Sequence, residues 1–222
     1  MKPWTLLDHA LTPDGKTIAL HRHDDEYAIR VDGVPLMSTR QHASEEHLAR
    51  LACAHLHSAN APRVLIGGLG FGFTLRAALA ALPLSATVVV AEILAAVIAW
   101  NRNPAFPLAS DALADPRVAI LHRDVAEVIR QSHAEFDAIL LDVDNGPAAL
   151  STAANQQLYD YAGLTRARAA LRPAGRAAFW SVATDPHFAN LMLRAGFTVN
   201  IHHSRARPNS GSTHTLFLGE RS

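Results

Sequence analysis

The run Val64-Leu65-Ile66-Gly67-Gly68-Leu69-Gly70-Phe71-Gly72 is an apolar stretch that breaks into glycines, and three later apolar runs each end in an acid: Glu92, Asp124 and Asp142. That order constrains the fold more than any other feature of the chain. In an open parallel sheet the carboxyl ends of the strands border one crevice, and ligands bind there. Glycines let the backbone turn sharply and come close to such a ligand. The pattern predicts an α/β domain with a nucleoside site built from Gly67, Gly68, Gly70, Gly72, Glu92 and Asp124, with Asp142 beside it.

The periodicity supports this. Short apolar runs predict strands at Val64 to Gly67, Thr87 to Ala91, Val118 to Leu121, Ala138 to Leu141 and Ala177 to Trp180. Between and after them, helical spacing covers Thr74 to Ala81, Ile93 to Asn101, Val125 to Gln131, Ala153 to Leu171 and Pro186 to Ala195. Strands alternating with helices imply right-handed crossovers and a mostly parallel sheet. Phe197 to Ile201 and His214 to Gly219, separated by a polar loop, predict a final antiparallel pair. The expected order resembles the Rossmann-like architecture of the class I S-adenosylmethionine-dependent transferases.

Upstream the pattern changes. Thr17 to His21 and Tyr27 to Val31 are β-prone, with turn signals at Pro13-Asp14-Gly15 and Asp32-Gly33, so residues 1–42 predict a small antiparallel β unit and residues 43–222 the main domain. Ser44 is the expected N-cap of a helix whose stripe is Leu48, Leu51, Ala52, His55 and Leu56. Cys53 lies off that stripe and reads as a packed small side chain.

Composition excludes several classes. Twenty Lys and Arg against twenty Asp and Glu leave no basic footprint for nucleic acid. The most apolar stretch, Leu75 to Trp100, is broken by Arg76, Pro83 and Glu92, so no membrane span is expected. A single cysteine and a polar start are those of a cytoplasmic protein. The thirteen histidines show no ligand set at metal-site spacing, and no metal is expected.

The glycine turn lacks the third glycine of a dinucleotide fingerprint, because Phe73 stands there; G-x-G-x-G fits a ligand without pyrophosphate. Glu92 follows the glycines by about 20 to 25 residues, the place for an acid that binds both ribose hydroxyls. It also suits the positive end of the next helix. Asp124 fits either the adenine amino group or a helix cap. Asp142 and Asp144, two residues apart on a loop closed by Gly146-Pro147, form an acid pair in which repulsion raises one pKa and suits it to proton transfer. The same spacing fits an Asx-type turn.

From about Tyr27 to Trp180 the chain resembles the spermidine synthase family. Asp32-Gly33-Val34 is similar to the family's D-G-x, Val64 to Gly72 to its V-L-I-I-G-G-G-D-G-G, and Phe136 to Pro147 to its Y-D-V-I-I-x-D-S-x-D-P-x-G-P. The resemblance implies that Glu92 and Asp124 meet ribose and adenine and that Asp142 deprotonates the attacking amine. It also implies that S-adenosylmethionine or its decarboxylated form is the donor, a small amine the acceptor and a homodimer the assembly. Four places depart from the pattern, one of them the second aspartate, which stands one residue closer, at Asp144. Gly70 replaces the aspartate that holds the donor amine. Leu36 stands near the family's glutamine. Glu45-Glu46-His47-Leu48 replaces a tyrosine-bearing helix signature, which leaves Glu45 and Glu46, with Asp144, as candidates to hold a cationic acceptor. The expectation is a transferase that moves an aminopropyl or methyl group from an adenosyl sulfonium donor to a small amine. The alternatives are a methyltransferase with a non-polyamine acceptor and a non-catalytic protein that binds an adenosyl nucleoside.

Overall fold

The computed structural model of the protein describes residues 3–143, 157–207 and 210–222. Two sheets share one core. The first is a four-stranded antiparallel meander, β1 (Thr5–Leu11), β2 (Thr17–His23), β3 (Glu26–Val31) and β4 (Val34–Ser38). It is larger than the two strands that propensity marks. Asp32 and Gly33 hold positive φ values of 48° and 79°, which turn β3 tightly into β4. Thr17 donates its N–H to Asp32 Oδ1 at 2.8 Å, so the same turn is tied to β2. β1 and β4 carry no such pattern because none of their residues is fully buried, which blurs alternation.

After it come α1 (Ala43–Cys53), β5 (Arg63–Gly67), α2 (Phe73–Ala81), β6 (Thr87–Glu92), α3 (Ala95–Arg102), the one-turn α4 (Ser110–Leu113), β7 (Val118–His122), α5 (Val125–Gln131), β8 (Phe136–Leu141), α6 (Tyr161–Ala170), β9 (Leu171–Ser181), α7 (Pro186–Arg194), β10 (Phe197–Arg207) and β11 (Ser210–Arg221). The seven strands lie in the order β10-β11-β9-β8-β5-β6-β7. β5 to β9 run parallel, while β11 is antiparallel to both neighbours. The mostly parallel sheet with one reversed strand is as expected.

Side chains alternate across this sheet with period two. Val64, Ile66, Val88, Val90, Ala138, Leu140 and Trp180 face one layer, formed by α1, α2, α3 and the inner face of the small sheet through Ile18, Leu20, Tyr27 and Ile29. Leu65, Val89, Ile139, Leu141, Ala177, Phe179 and Phe217 face the other, which holds α5, α6 and α7. Burial on both faces explains why β5, β6 and β8 read as continuous apolar runs.

Three expectations change at the boundaries. Ser44 is not the cap of α1: His42 precedes the helix and Ser44 is buried inside its first turn. The run read as one helix from Ala153 ends in α6, and Leu171 already belongs to β9; its first residues lie outside the described ones. The polar segment His203 to Ser212 is mostly strand, with Arg205 opposite Thr213. Ladder hydrogen bonds satisfy the backbone there whatever the side chains are. Cys53 is buried, and burial pushes its thiol up to about 12, an inert packed residue.

Candidate functional site

β5 ends by handing its backbone to its neighbours: Gly68 donates to the Ala91 carbonyl at 2.9 Å, and Asp142 donates to the Gly67 carbonyl at 3.2 Å. Three strand ends are thereby held together. Gly68, Gly70 and Gly72 take φ values of 88°, 50° and 76°. Gly68 is required sterically as well, since a Cβ there would lie 2.6 Å from the Asp142 carbonyl oxygen. Gly72 precedes α2 and packs on Ala109, and Gly67 packs between Leu141 and Val125. The turn is held from behind by buried Asn101, whose Nδ2 donates to the Gly70 carbonyl at 2.8 Å.

Glu92 closes β6 and is 6% exposed. Its Oε2 accepts the Leu69 N–H at 2.9 Å and its Oε1 accepts the Leu94 N–H at 2.8 Å. One carboxylate thus fixes both the glycine turn and the entry to α3. Burial raises its pKa, an effect those backbone donors oppose. Asp124 caps α5, its Oδ1 accepting the Ala126 N–H at 2.8 Å. Gly68, Gly70, Glu92, Asp124 and Asp142 then line one open cleft, walled by apolar side chains including Ile93, Leu94, Val97, Val125 and Val143. Its apolar walls with a few polar groups are those of a small-molecule site. Gly67 and Gly72 stand outside the lining, one in the sheet and one at the helix start.

Asp142 follows β8 at the point where this cleft meets a second one. The second cavity is lined by Ser44 and Glu45 of α1, by Ser38 and Gln41, and by Trp180, Val182 and His214; Leu36, Met37 and Asp142 are common to both cavities. Thr74 donates to Asp142 Oδ2 at 2.7 Å. Burial pushes the Asp142 carboxyl up to about 6, and the Thr74 hydrogen bond opposes the rise. Glu45 is raised well above the usual range, first by burial and then by the negative charges of Asp142 and Glu46. The two carboxyls compete for ionisation, and a cation between them would relieve both.

Glu46 does not join them. It bonds His42 Nδ1 at 2.7 Å, lies 3.5 Å from Arg50, and lines a separate groove with Tyr27, Phe71 and Arg76. Asp144 lies outside the described residues. Within the second cavity, the Trp180 indole N–H donates to Ser44 Oγ at 3.0 Å, and His214 bonds Ser44 Oγ through Nδ1 at 2.9 Å and Ser212 Oγ through Nε2 at 2.8 Å. Burial lowers the His214 pKa, so this wall is neutral. Among the described residues, no group of three or more His, Cys, Asp or Glu is placed to hold a metal ion, and no helix is long and apolar enough to cross a membrane.

Compared by sequence, the chain matches no family model and no curated protein. Compared by structure, it matches a spermidine synthase crystallised with the transition state analogue AdoDATO at a TM-score of 0.75, over 98% of this chain and 72% of that one, with 20% identity. The fold is that of the spermidine synthases. The spermidine synthase from Thermotoga maritima gives a TM-score of 0.76 at 21% identity, covering 98% of this chain and 73% of that one. A probable spermidine synthase from Corynebacterium glutamicum gives 0.65 at 18%, covering 100% and 81%. The small meander and the seven-stranded sheet are both included in these spermidine synthase matches.

The sequence pattern did not mark Thr74, Met37, Asn101, Trp180 or His214. Trp180 had a readable signal, because it ends a strand beside β8, where side chains reach the crevice. Met37 and His214 had none: each reaches the site from a strand whose neighbours are decided by tertiary packing.

Proposed function

We propose that the protein transfers an alkyl group from an adenosyl sulfonium donor to an amine. The observation that carries this is Asp142, which borders both the cleft at the glycine turn and a second cavity containing another acid. A base there touches donor and acceptor at once. In this reading Glu92 takes the ribose hydroxyls, Asp124 the adenine edge, and Gly68 and Gly70 allow the backbone close to the ligand. The acceptor ammonium gives a proton to Asp142; its nitrogen lone pair then attacks the carbon next to sulfur. The carbon–nitrogen bond forms, the carbon–sulfur bond breaks, and the bonding pair leaves on sulfur as a neutral thioether. Little covalent help is needed from the protein, so positioning and one proton transfer supply the catalysis.

The spermidine synthase fold supports aminopropyl transfer, with decarboxylated S-adenosylmethionine as donor and a place in polyamine biosynthesis. Gly70 favours a second reading, methyl transfer from S-adenosylmethionine, because the donor cleft offers no carboxylate at that position. Incubation with each donor and a panel of small amines separates them by product. Methylthioadenosine in the mass spectrum marks aminopropyl transfer, S-adenosylhomocysteine marks methyl transfer, and neither, with nucleoside still bound, marks a binding protein. We further place the protein in the cytoplasm as a homodimer, free of resident metal.

A further inference from the structure

Ser44 is 2% exposed, and its hydroxyl is held from two strands of the large sheet. The Trp180 indole N–H of β9 donates to its Oγ at 3.0 Å, and His214 of β11 meets the same oxygen through Nδ1 at 2.9 Å. An indole nitrogen only donates, so Ser44 accepts there and keeps its own hydrogen for Nδ1. The chain is complete when His214 is neutral with its hydrogen on Nε2, which Ser212 Oγ takes at 2.8 Å. Burial lowers the His214 pKa and favours that form. The imidazole also packs on the Trp180 indole, with ring centroids 4.5 Å apart.

The bonded serine fixes more than itself. It stands in the first turn of α1, and consecutive side chains of an α-helix point about 100° apart. With Ser44 held toward β9 and β11, Glu45 points into the second cavity beside Asp142, and Glu46 points on to His42 and Arg50. On that far side the His42 ring stacks on Phe73 at 4.4 Å. Keeping Glu45 beside Asp142 sets two buried carboxyls against each other, which favours any rotation of the helix that parts them. The hydrogen bonds to Ser44 oppose that rotation.

We propose that His214 is a positioning residue for acceptor binding: through Ser44 it locks the rotation of α1 that keeps Glu45 beside Asp142. The part of Glu45 in holding an ammonium group rests on the transferase reading above. The lock itself rests on hydrogen bonds alone.

The lock is read without any ligand, from carboxyl titrations of the whole protein labelled with carbon-13 in its Asp and Glu side chains. The charges that act on Glu45 are those of Asp142 and Glu46, and Glu46 is left intact in every variant. In the wild-type background Asp142→Asn should lower the pH at which Glu45 titrates by about one unit or more. In the His214→Leu and Ser44→Ala backgrounds the same substitution should move it by less than about a third as much. His214→Asn should keep the full shift, because its Oδ1 takes the place of Nδ1 as acceptor for Ser44. A full shift in either deletion background would overturn the proposal, and so would His214→Asn behaving like His214→Leu, which would mark the imidazole as packing only. In turnover, His214→Leu should raise the amine KM about tenfold or more with methylthioadenosine affinity unchanged. An unchanged KM would overturn the role in acceptor binding. No turnover with either donor and any amine of the panel would instead remove the transferase reading and leave the titration result standing.

Discussion

Thr74 donates its hydroxyl hydrogen to Asp142 Oδ2 at 2.7 Å, joining the first turn of α2 to the end of β8. The bond orients the carboxylate without neutralising it. One oxygen is fixed by Thr74, while burial holds the group's pKa near 6. A carboxyl poised there exists in both forms near neutrality, which is what proton transfer requires. Its position between two cavities therefore matters as much as its identity.

The raised pKa has a cost that can be measured. The folded value, about 6, exceeds the unfolded value near 3.8, so the native state binds more protons between those limits. The favourable neutral form is fully present below about pH 4, and its contribution to stability is lost as pH rises through about 6. Asp142→Asn, which keeps an oxygen for Thr74, should stabilise the unliganded protein at pH 8 by roughly 3 kcal/mol, at about 1.4 kcal/mol per pKa unit. The gap should close near pH 4. Urea unfolding at the two pH values reads both, and a mutant less stable at pH 8 would contradict the burial argument.

The same substitution should lower turnover by roughly 100-fold or more with nucleoside affinity nearly intact. In the wild type, turnover should fall as pH drops through about 6, where Asp142 gains its proton. A pH profile of kcat showing no acid limb, or a mutant of ordinary activity, would remove Asp142 from the proton transfer.

Glu92 makes a different prediction from the one its position in the sequence invites. Spacing alone marks a ligand residue whose loss the fold survives, whereas its two oxygens hold the Leu69 and Leu94 N–H groups. Glu92→Ala should weaken methylthioadenosine binding by about 1 to 3 kcal/mol and also destabilise the protein by about 1 to 3 kcal/mol, since buried donors lose their partner. Calorimetry and thermal unfolding of the mutant check the two effects separately. Affinity lost with stability unchanged would mean that the turn does not depend on this carboxylate.

These cases show what the sequence makes legible. β5, β6 and β8 are buried on both faces, so their apolar runs announce strands, and chain order fixes which ends adjoin. Glu92, Asp124 and Asp142 could be placed because each stands at such an end. What the pattern hides is contact between distant segments. Ser44 reads as a cap by composition, yet Trp180 and His214, more than 130 residues away, bury its hydroxyl. Glu45 and Glu46 are indistinguishable in sequence. The rotation of α1 turns one toward Asp142 and leaves the other paired with His42 and Arg50.

The small sheet should form a subunit interface. Its outer strands β1 and β4 are edges, and Leu6, Leu11 and Val34 on them are 53%, 73% and 67% exposed. Exposed edges carrying large apolar side chains invite pairing with another chain. Light scattering at micromolar concentration should give twice the monomer mass of 23.9 kDa. Leu11→Lys with Val34→Lys should shift it to monomer with the fold intact by circular dichroism. A wild-type monomer would exclude this interface.

Donor choice turns on Gly70 and Met37. The resemblance to spermidine synthases implies an aspartate where Gly70 stands, and a Cβ there would lie 3.1 Å from Met37 Sδ. The thioether therefore crowds the space that a carboxylate would need. Loss of a charge-assisted hydrogen bond costs about 1.5 to 3 kcal/mol, or roughly ten- to a hundredfold in affinity for a donor held by its ammonium group. S-adenosylmethionine and its decarboxylated form should then bind within about tenfold of each other. Gly70→Asp alone meets both Met37 and a φ of 50°, a left-handed conformation that aspartate tolerates better than most residues. The double change Gly70→Asp with Met37→Ala should accordingly shift preference toward the decarboxylated donor by tenfold or more, and Gly70→Asp alone by less. Paired titrations of wild type and both mutants with both donors measure this. A wild-type preference of a hundredfold or more for the decarboxylated donor would show that another group anchors its ammonium, and would favour aminopropyl transfer over methyl transfer.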